Sequence, residues 1–129
     1  MYFIYGVWNC VNVVTREEGV PQAVLIRGLE PVEAIDSKTW GPGLLCRAMH
    51  IDRTLNGADL QGQRLWIERP DEPKRRLRVA HATRIGVDYS GEWAQLLWRV
   101  FASDSPYVST TPEAARTRAL KDRVRLEVK

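Results

Sequence analysis

The chain opens Tyr2-Phe3-Ile4-Tyr5-Gly6-Val7-Trp8-Asn9-Cys10-Val11-Asn12-Val13-Val14, a run that contains no charged residue. Ten of its thirteen residues are apolar or aromatic, and most are β-branched or ring-bearing. Such side chains pack well on a pleated surface and poorly around a helix, so the stretch reads as strand. Gly6 interrupts it, and a glycine inside a strand pattern marks a bulge, a bend or a close backbone approach. Two readings stand side by side. A turn near Tyr5-Gly6 would fold the stretch into a hairpin with a tyrosine at its tip, where the ring is costly to hydrate unless it inserts into something. Without that turn the stretch is a buried central strand, and Gly6 is a packing accommodation.

The sequence downstream carries the punctuation of a small mixed domain. Thr15 to Pro21 is a polar turn, and Gln22 to Leu29 is a second apolar strand with Arg27 in its middle. An arginine among apolar neighbours either finds an anion, a carboxylate or carbonyls, or extends to the surface from an edge strand. Glu30-Pro31 closes that strand. Gly41-Pro42-Gly43 leads into Leu44 to Met49 as a loop feeding a short helix, whose first free N–H groups suit a phosphate or, as in most helices, water. Asn56-Gly57 is a turn, Arg64 to Glu68 and Arg84 to Val87 read as strands, and Trp93, Trp98 and Phe101 supply aromatic mass for the core.

Composition excludes several classes. At 129 residues the chain is one domain of ordinary size. A net charge of +3 and a pI near 9.1 lean basic without requiring a nucleic-acid partner. No apolar run reaches membrane-spanning length, and no basic-then-apolar leader opens the chain, so neither a membrane partner nor secretion is expected. Cys10 and Cys46 lie in apolar surroundings and read as reduced core residues. His50 and His81 show no metal-ligand spacing, so neither metal nor cofactor is expected.

Taken in order, Tyr2-Phe3-Ile4-Tyr5-Gly6, Asn12-Val13, Leu25-Ile26-Arg27-Gly28-Leu29-Glu30-Pro31, Gly41-Pro42-Gly43-Leu44, Leu65-Trp66-Ile67-Glu68, Arg84-Ile85-Gly86-Val87, Gly91-Glu92-Trp93-Ala94 and Ser105-Pro106-Tyr107-Val108-Ser109 resemble the alkyladenine (3-methyladenine) DNA glycosylase family. The resemblance covers residues 2 to 109. It implies hydrolysis of the N-glycosidic bond of alkylated or deaminated purines, after the damaged nucleotide has been flipped out of double-stranded DNA. Tyr5, with Gly6 beside it, matches the hairpin-tip residue that enters the minor groove and fills the vacated space. Tyr2 matches an aromatic wall whose face favours a cationic alkylpurine. Asn12 matches the asparagine that rejects guanine, Val7 a pocket position often held by methionine, and Arg27 the arginine near the attacking water. The backbone carbonyl of Ile85 matches a second contact to that water.

The sequence departs from the family in ways that bear on activity. The family's catalytic glutamate belongs to a segment upstream of the hairpin, where this chain begins. Glu17, Glu18, Glu30 and Glu33 are available, yet no motif puts any of them in that role. Only Val32 to Trp40 separates Pro31 from Gly41, where the family carries a longer basic segment, and Leu44 stands where lysine is frequent. The resemblance therefore implies an α+β fold: a curved, mainly antiparallel β-sheet with a protruding β-hairpin and short helices, forming an incomplete single domain. Residues 1–111 would be the C-terminal portion of a glycosylase domain and residues 112–129 a charged tail. The expected function is that of a DNA-3-methyladenine glycosylase of base excision repair, this chain being a truncated form inactive alone. A catalytically dead DNA- or lesion-binding module and a degraded gene product are the alternatives. The protein would act in the cytoplasm, at the nucleoid, in a bacterium or in the nucleus of a eukaryote.

Overall fold

The computed structural model describes residues 2–4, 8–69 and 76–109. The opening stretch holds three short strands rather than one: β1 (Tyr2–Ile4) pairs antiparallel with β2 (Trp8–Cys10), Tyr2 opposite Cys10 and Ile4 opposite Trp8, and Asn12–Val14 follows as a third. The chain thus reverses between Ile4 and Trp8. β3 (Asn12–Val14) pairs antiparallel with β4 (Ala23–Leu25) across the polar turn, where Thr15 N–H donates to the Gln22 carbonyl at 3.1 Å. β5 (Val79–Ala82) and β6 (Arg99–Ala102) form a third antiparallel pair. A seven-residue helix α1 (Pro42–Ala48) and 3₁₀ segments at Arg53–Leu55 and Asp88–Gln95 complete an α+β arrangement. Among the described residues every strand pair is antiparallel, and the three ladders are two-stranded. A lone two-stranded ladder is marginal in water, so each depends on what covers its faces.

The closed part of the core lies where α1 meets β2. Cys10, Leu45, Cys46 and Ile51 are buried there, Cys10 at 2% exposure. Pro42 starts the helix where its missing N–H is not needed, and Ile51 N–H closes onto the Cys46 carbonyl at 2.7 Å. Gly43 permits the contact: a Cβ there would stand 2.7 Å from Trp8 Cε3. Both thiols are free, and burial pushes each above its ordinary range, as expected of inert core cysteines.

Several local expectations give way to backbone geometry. Only Ala23–Leu25 of the second apolar run belongs to a ladder; beyond it, Gly28 bridges Trp40 and Leu29 N–H donates to the Thr39 carbonyl at 3.3 Å. Arg64 to Glu68 is not a strand; its one ladder contact is the bridge between Gln61 and Trp66. Arg84 to Val87 is a bend, because Gly86 takes a φ of 72° that no strand residue adopts. The strand in that region is β5, which ends at Ala82, two residues before Arg84. The aromatic mass is not core: Trp93 is half exposed, Trp98 is 58% exposed and Tyr89 is 88% exposed. Ala94 is the buried residue of that segment. The charged tail at 112–129 lies outside the described residues.

Two backbone contacts bring the chain's distant parts together. The fully buried Thr39 hydroxyl donates to the Leu29 carbonyl at 2.6 Å, fixing the extension of β4. At Gly28 the Tyr107 carbonyl comes so close that a Cβ would meet it at 2.5 Å, while the Trp40 and Tyr107 rings meet edge to face at 5.8 Å. Backbone cannot yield as a flexible side chain does. Gly28→Ala is therefore expected to destabilise the fold by about 1–3 kcal/mol, the usual cost of overpacking. Chemical denaturation of both proteins measures it, and equal midpoints would show that the segment around Tyr107 moves freely. The uncovered Val24, Trp66, Ile67, Trp98 and Val100 generate a second expectation. The 129-residue chain binds a hydrophobic dye in native buffer and associates with rising concentration. A dye-negative monomer with a sharp thermal transition would contradict this.

Candidate functional site

A cavity of about 1220 Å³ opens between the β3–β4 hairpin, the extension of β4, β6, the bend after β5 and residues 105–109. Asn12 reaches it from β3, Arg27 from just beyond β4, and Ile85 from the bend, so three of the residues singled out in the sequence line one concavity. Tyr2 pairs with Cys10 in β1, and its side chain is not among the described ones. Tyr5, Gly6 and Val7 lie outside the described residues. The helix that follows Gly41-Pro42-Gly43 contributes nothing to the lining.

The polar end of the cavity is built around Ser109, which is 7% exposed. Its hydroxyl accepts a hydrogen bond from Arg27 Nε at 3.0 Å, and its carbonyl accepts from Arg99 Nη1 at 3.5 Å. Arg99 also lies over the Phe101 ring, with 4.9 Å from Cζ to the centroid. Burial pulls the Arg27 guanidinium below its ordinary pKa, and the nearby charge of Arg99 pulls it further; the Cys10 thiol acts in the opposite sense. An arginine so perturbed is still charged at neutral pH. Arg99 and Ser109 escaped the sequence reading. For Arg99 the signal was present, since it stands between Trp98 and Val100 much as Arg27 stands between Ile26 and Gly28.

Arg84 holds the wall next to Ile85. Its Nη2 donates to the Trp93 carbonyl at 3.1 Å and to Ser90 Oγ at 3.4 Å, and its guanidinium lies 5.4 Å from the Trp98 ring centre. Ser90 Oγ in turn donates to the Val87 carbonyl at 2.7 Å. The bend is thereby braced from both sides, although Gly91, with its φ of 58°, breaks the 3₁₀ segment.

Acidic groups are scarce at this site. Glu30 is the one carboxylate among the described lining residues; Glu17, Glu18 and Glu33 lie elsewhere. Glu17 pairs with Arg16 at 3.3 Å on the surface, which holds its carboxyl below the usual range. A second, shallower concavity of about 480 Å³ around Trp66 has Glu68 as its sole ionisable lining residue. Among the described residues no three His, Cys, Asp or Glu side chains gather to hold a metal, and no helix is long and apolar enough to cross a membrane. The larger cavity thus offers apolar and aromatic walls (Trp98, Phe101, Tyr107), an amide at Asn12 and guanidinium donors at one end. Such a space accepts a flat, partly apolar guest and directs N–H donors at its polar edge.

Residues 1–106 match the family model of methylpurine-DNA glycosylase. Proteins named "Putative 3-methyladenine DNA glycosylase" are similar to the chain. One, from Legionella pneumophila strain Corby, is 47% identical over 111 residues, covering 86% of this chain and 60% of the relative. One from Anaeromyxobacter sp. strain Fw109-5 is 46% identical over 126 residues, 97% of this chain and 63% of the relative. One from Desulfitobacterium hafniense strain Y51 is 41% identical, covering 84% of this chain and 63% of the relative. The chain spans about three fifths of the length of these curated relatives. With the match running through the strands and bends that bring Asn12, Arg27 and Ile85 to one cavity, the chain belongs to the methylpurine-DNA glycosylase family.

Proposed function

We propose that the chain supplies the base-recognition wall of a 3-methyladenine DNA glycosylase, which hydrolyses the N-glycosidic bond of alkylated or deaminated purines flipped from duplex DNA. The observation that carries this reading is the convergence of Asn12, Arg27 and Ile85 on one cavity in a chain of this family. In this reading Tyr5, with Gly6 giving the backbone room to turn, fills the gap left by the extruded nucleotide. Tyr2 stacks on the flipped base and Val7 contacts its edge. Asn12 discriminates against guanine, whose exocyclic amine meets the amide without room or partner. Arg27 and the Ile85 carbonyl orient the attacking water, one by donating and the other by accepting.

Attack by water on the anomeric carbon also needs a carboxylate to take its proton and to face the oxocarbenium-like transition state. Glu30, the single carboxylate on the described lining, sits beside Pro31 in the extension beyond β4, three residues from Arg27. That scarcity favours a second reading, in which these 129 residues bind damaged DNA without cleaving it. In this reading residues 1–111 are the C-terminal portion of the glycosylase domain, and residues 112–129 are a charged tail.

Incubated with duplex containing 3-methyladenine or hypoxanthine, the 129-residue chain is expected to release no base above a no-protein control. A general base contributes roughly 100- to 10,000-fold in enzymes that use one, and no motif assigns Glu30 that role. Turnover abolished by Arg27→Ala would instead establish catalysis and point to Glu30. A binding experiment tests recognition separately. The chain should bind hypoxanthine-containing duplex more tightly than undamaged duplex, and Tyr5→Ala should weaken that binding by about 1–3 kcal/mol, the scale of one stacked aromatic. Equal affinity for both duplexes, unchanged by Tyr5→Ala, would sink the recognition reading.

A further inference from the structure

We infer that Cys10 and Cys46 form an oxidisable dithiol, a modification site between β2 and α1 that a hydroperoxide closes into a disulfide. Neither residue lines the larger cavity, and the inference does not depend on the glycosylase reading.

The seam between strand and helix brings the two side chains together. Residues two apart on a strand share a face, so Cys10 points the way Trp8 does. Residues three apart on a helix share a face, so Cys46 lies on the side of α1 that carries Gly43. Trp8 and Gly43 meet directly, since a Cβ on Gly43 would stand 2.7 Å from Trp8 Cε3. Cys10 and Cys46 are the next step along both elements, and each is 2% exposed. The electrostatics agree with that placement. Burial is the main reason that the Cys46 thiol titrates high; beyond it, a charge on Cys10 pushes it up and the Val11 N–H draws it back. Both influences fade with distance, and both come from one short piece of chain, Cys10 and its successor.

Burial makes each thiol a poor target for solution reagents, yet leaves the other sulfur beside it. Cys10 is the one that reacts first. Burial raises its thiol as well, but the Arg27 charge brings it part of the way back, whereas the charge acting on Cys46 is of the opposite sign. Hydrogen peroxide is little larger than water and carries no charge, so it reaches sites closed to bulkier oxidants. The Cys10 thiolate attacks one peroxide oxygen, the O–O bond breaks, and the departing hydroxide takes up the thiol proton as water. The resulting sulfenic acid is attacked by Cys46 sulfur. The S–O bond breaks, the second water leaves with the Cys46 proton, and an S–S bond remains. Two thiols are thereby oxidised to one disulfide and one hydrogen peroxide is reduced to two waters. The bridge closes the loop that runs from β2 through β3 and β4 to α1 and includes Asn12, Arg27 and Gly28. Cross-linking a loop restricts the unfolded chain, so the oxidised protein is the more stable form.

The test treats the reduced 129-residue chain with hydrogen peroxide in native buffer at low protein concentration. Thiols titrated afterwards in denaturant should fall from two per chain to none, and dithiothreitol should restore both. Digestion without reductant should yield one linked pair of peptides containing Cys10 and Cys46, about 2 Da lighter than the two peptides summed. The denaturant midpoint should rise on oxidation and return on reduction. In Cys46→Ala the bridge cannot form, so the Cys10 peptide should instead gain oxygen in steps of about 16 Da. Cys46→Ser serves where the alanine variant does not fold. Stepwise oxygen uptake at Cys10 or Cys46 of the unsubstituted chain, a disulfide joining two chains, or two thiols surviving in native buffer would each overturn the site. A linked pair of peptides with an unchanged midpoint would overturn the stabilisation assigned to the bridge.

Discussion

A backbone contact with no room for a methyl group holds this molecule's functional residues in place. The carbonyl of Tyr107 lies 2.5 Å from where a Cβ on Gly28 would stand. That approach sets Arg27, one residue before Gly28, against Ser109, two residues after Tyr107. The Nε–Oγ hydrogen bond of 3.0 Å between them spans 82 positions of sequence. Trp40 secures the contact from the other side, bridging Gly28 through its backbone and meeting the Tyr107 ring edge to face. A side chain at Gly28 would push residues 107–109 outward and take the serine away from both arginines.

Around that contact the structure is unevenly finished. The α1–β2 contact has the density of an interior: Leu45, Cys10 and Cys46 are nearly inaccessible, and Gly43 removes the last obstacle between helix and Trp8. The β3–β4 and β5–β6 ladders have no such cover. Val24, Val79 and Val100 are exposed although they sit in strands, and the tryptophans at 93 and 98 stack on each other at 5.7 Å while remaining half open to solvent. A ladder with one bare face is held mainly by its turn and its few backbone bonds, and the apolar area it leaves in water contributes nothing to stability. The cavity lies between these less covered elements, so its walls are formed where the fold is least consolidated.

The electrostatics of the cavity follow from its lining. Arg27, Arg84 and Arg99 all line it, while its described lining contains a single carboxylate, Glu30. Arg84 is absorbed structurally, with Trp93, Ser90 and the Trp98 ring as partners, and it braces the bend at Ile85. Among the described residues, Arg27 and Arg99 are held by Ser109 and, for Arg99, the Phe101 ring.

The local sequence was enough to establish whatever depends on residue type and short spacing. The uncharged opening run indicated strand, Gly41-Pro42-Gly43 a helix start, Asn56-Gly57 a turn, and Cys10 and Cys46 reduced core positions; whether that run was one strand or a hairpin stayed open until β1 was seen paired with β2. Each of these follows from backbone propensity or from hydration of a single side chain. The strand assigned to Arg84–Val87 failed because one dihedral, φ at Gly86, outweighs the apolar pattern around it. Burial of Trp93 and Trp98 failed because an aromatic residue is core only if another layer reaches it. Arg27 could be marked as unusual from its neighbours alone, but its partner could not. Ser109 lies in an unremarkable polar segment, and Arg99 becomes relevant only once both bond to the same serine. Sequence thus determined which groups were costly to bury, whereas tertiary structure decided which groups they meet, because a desolvated charge is resolved by neighbours far away along the chain.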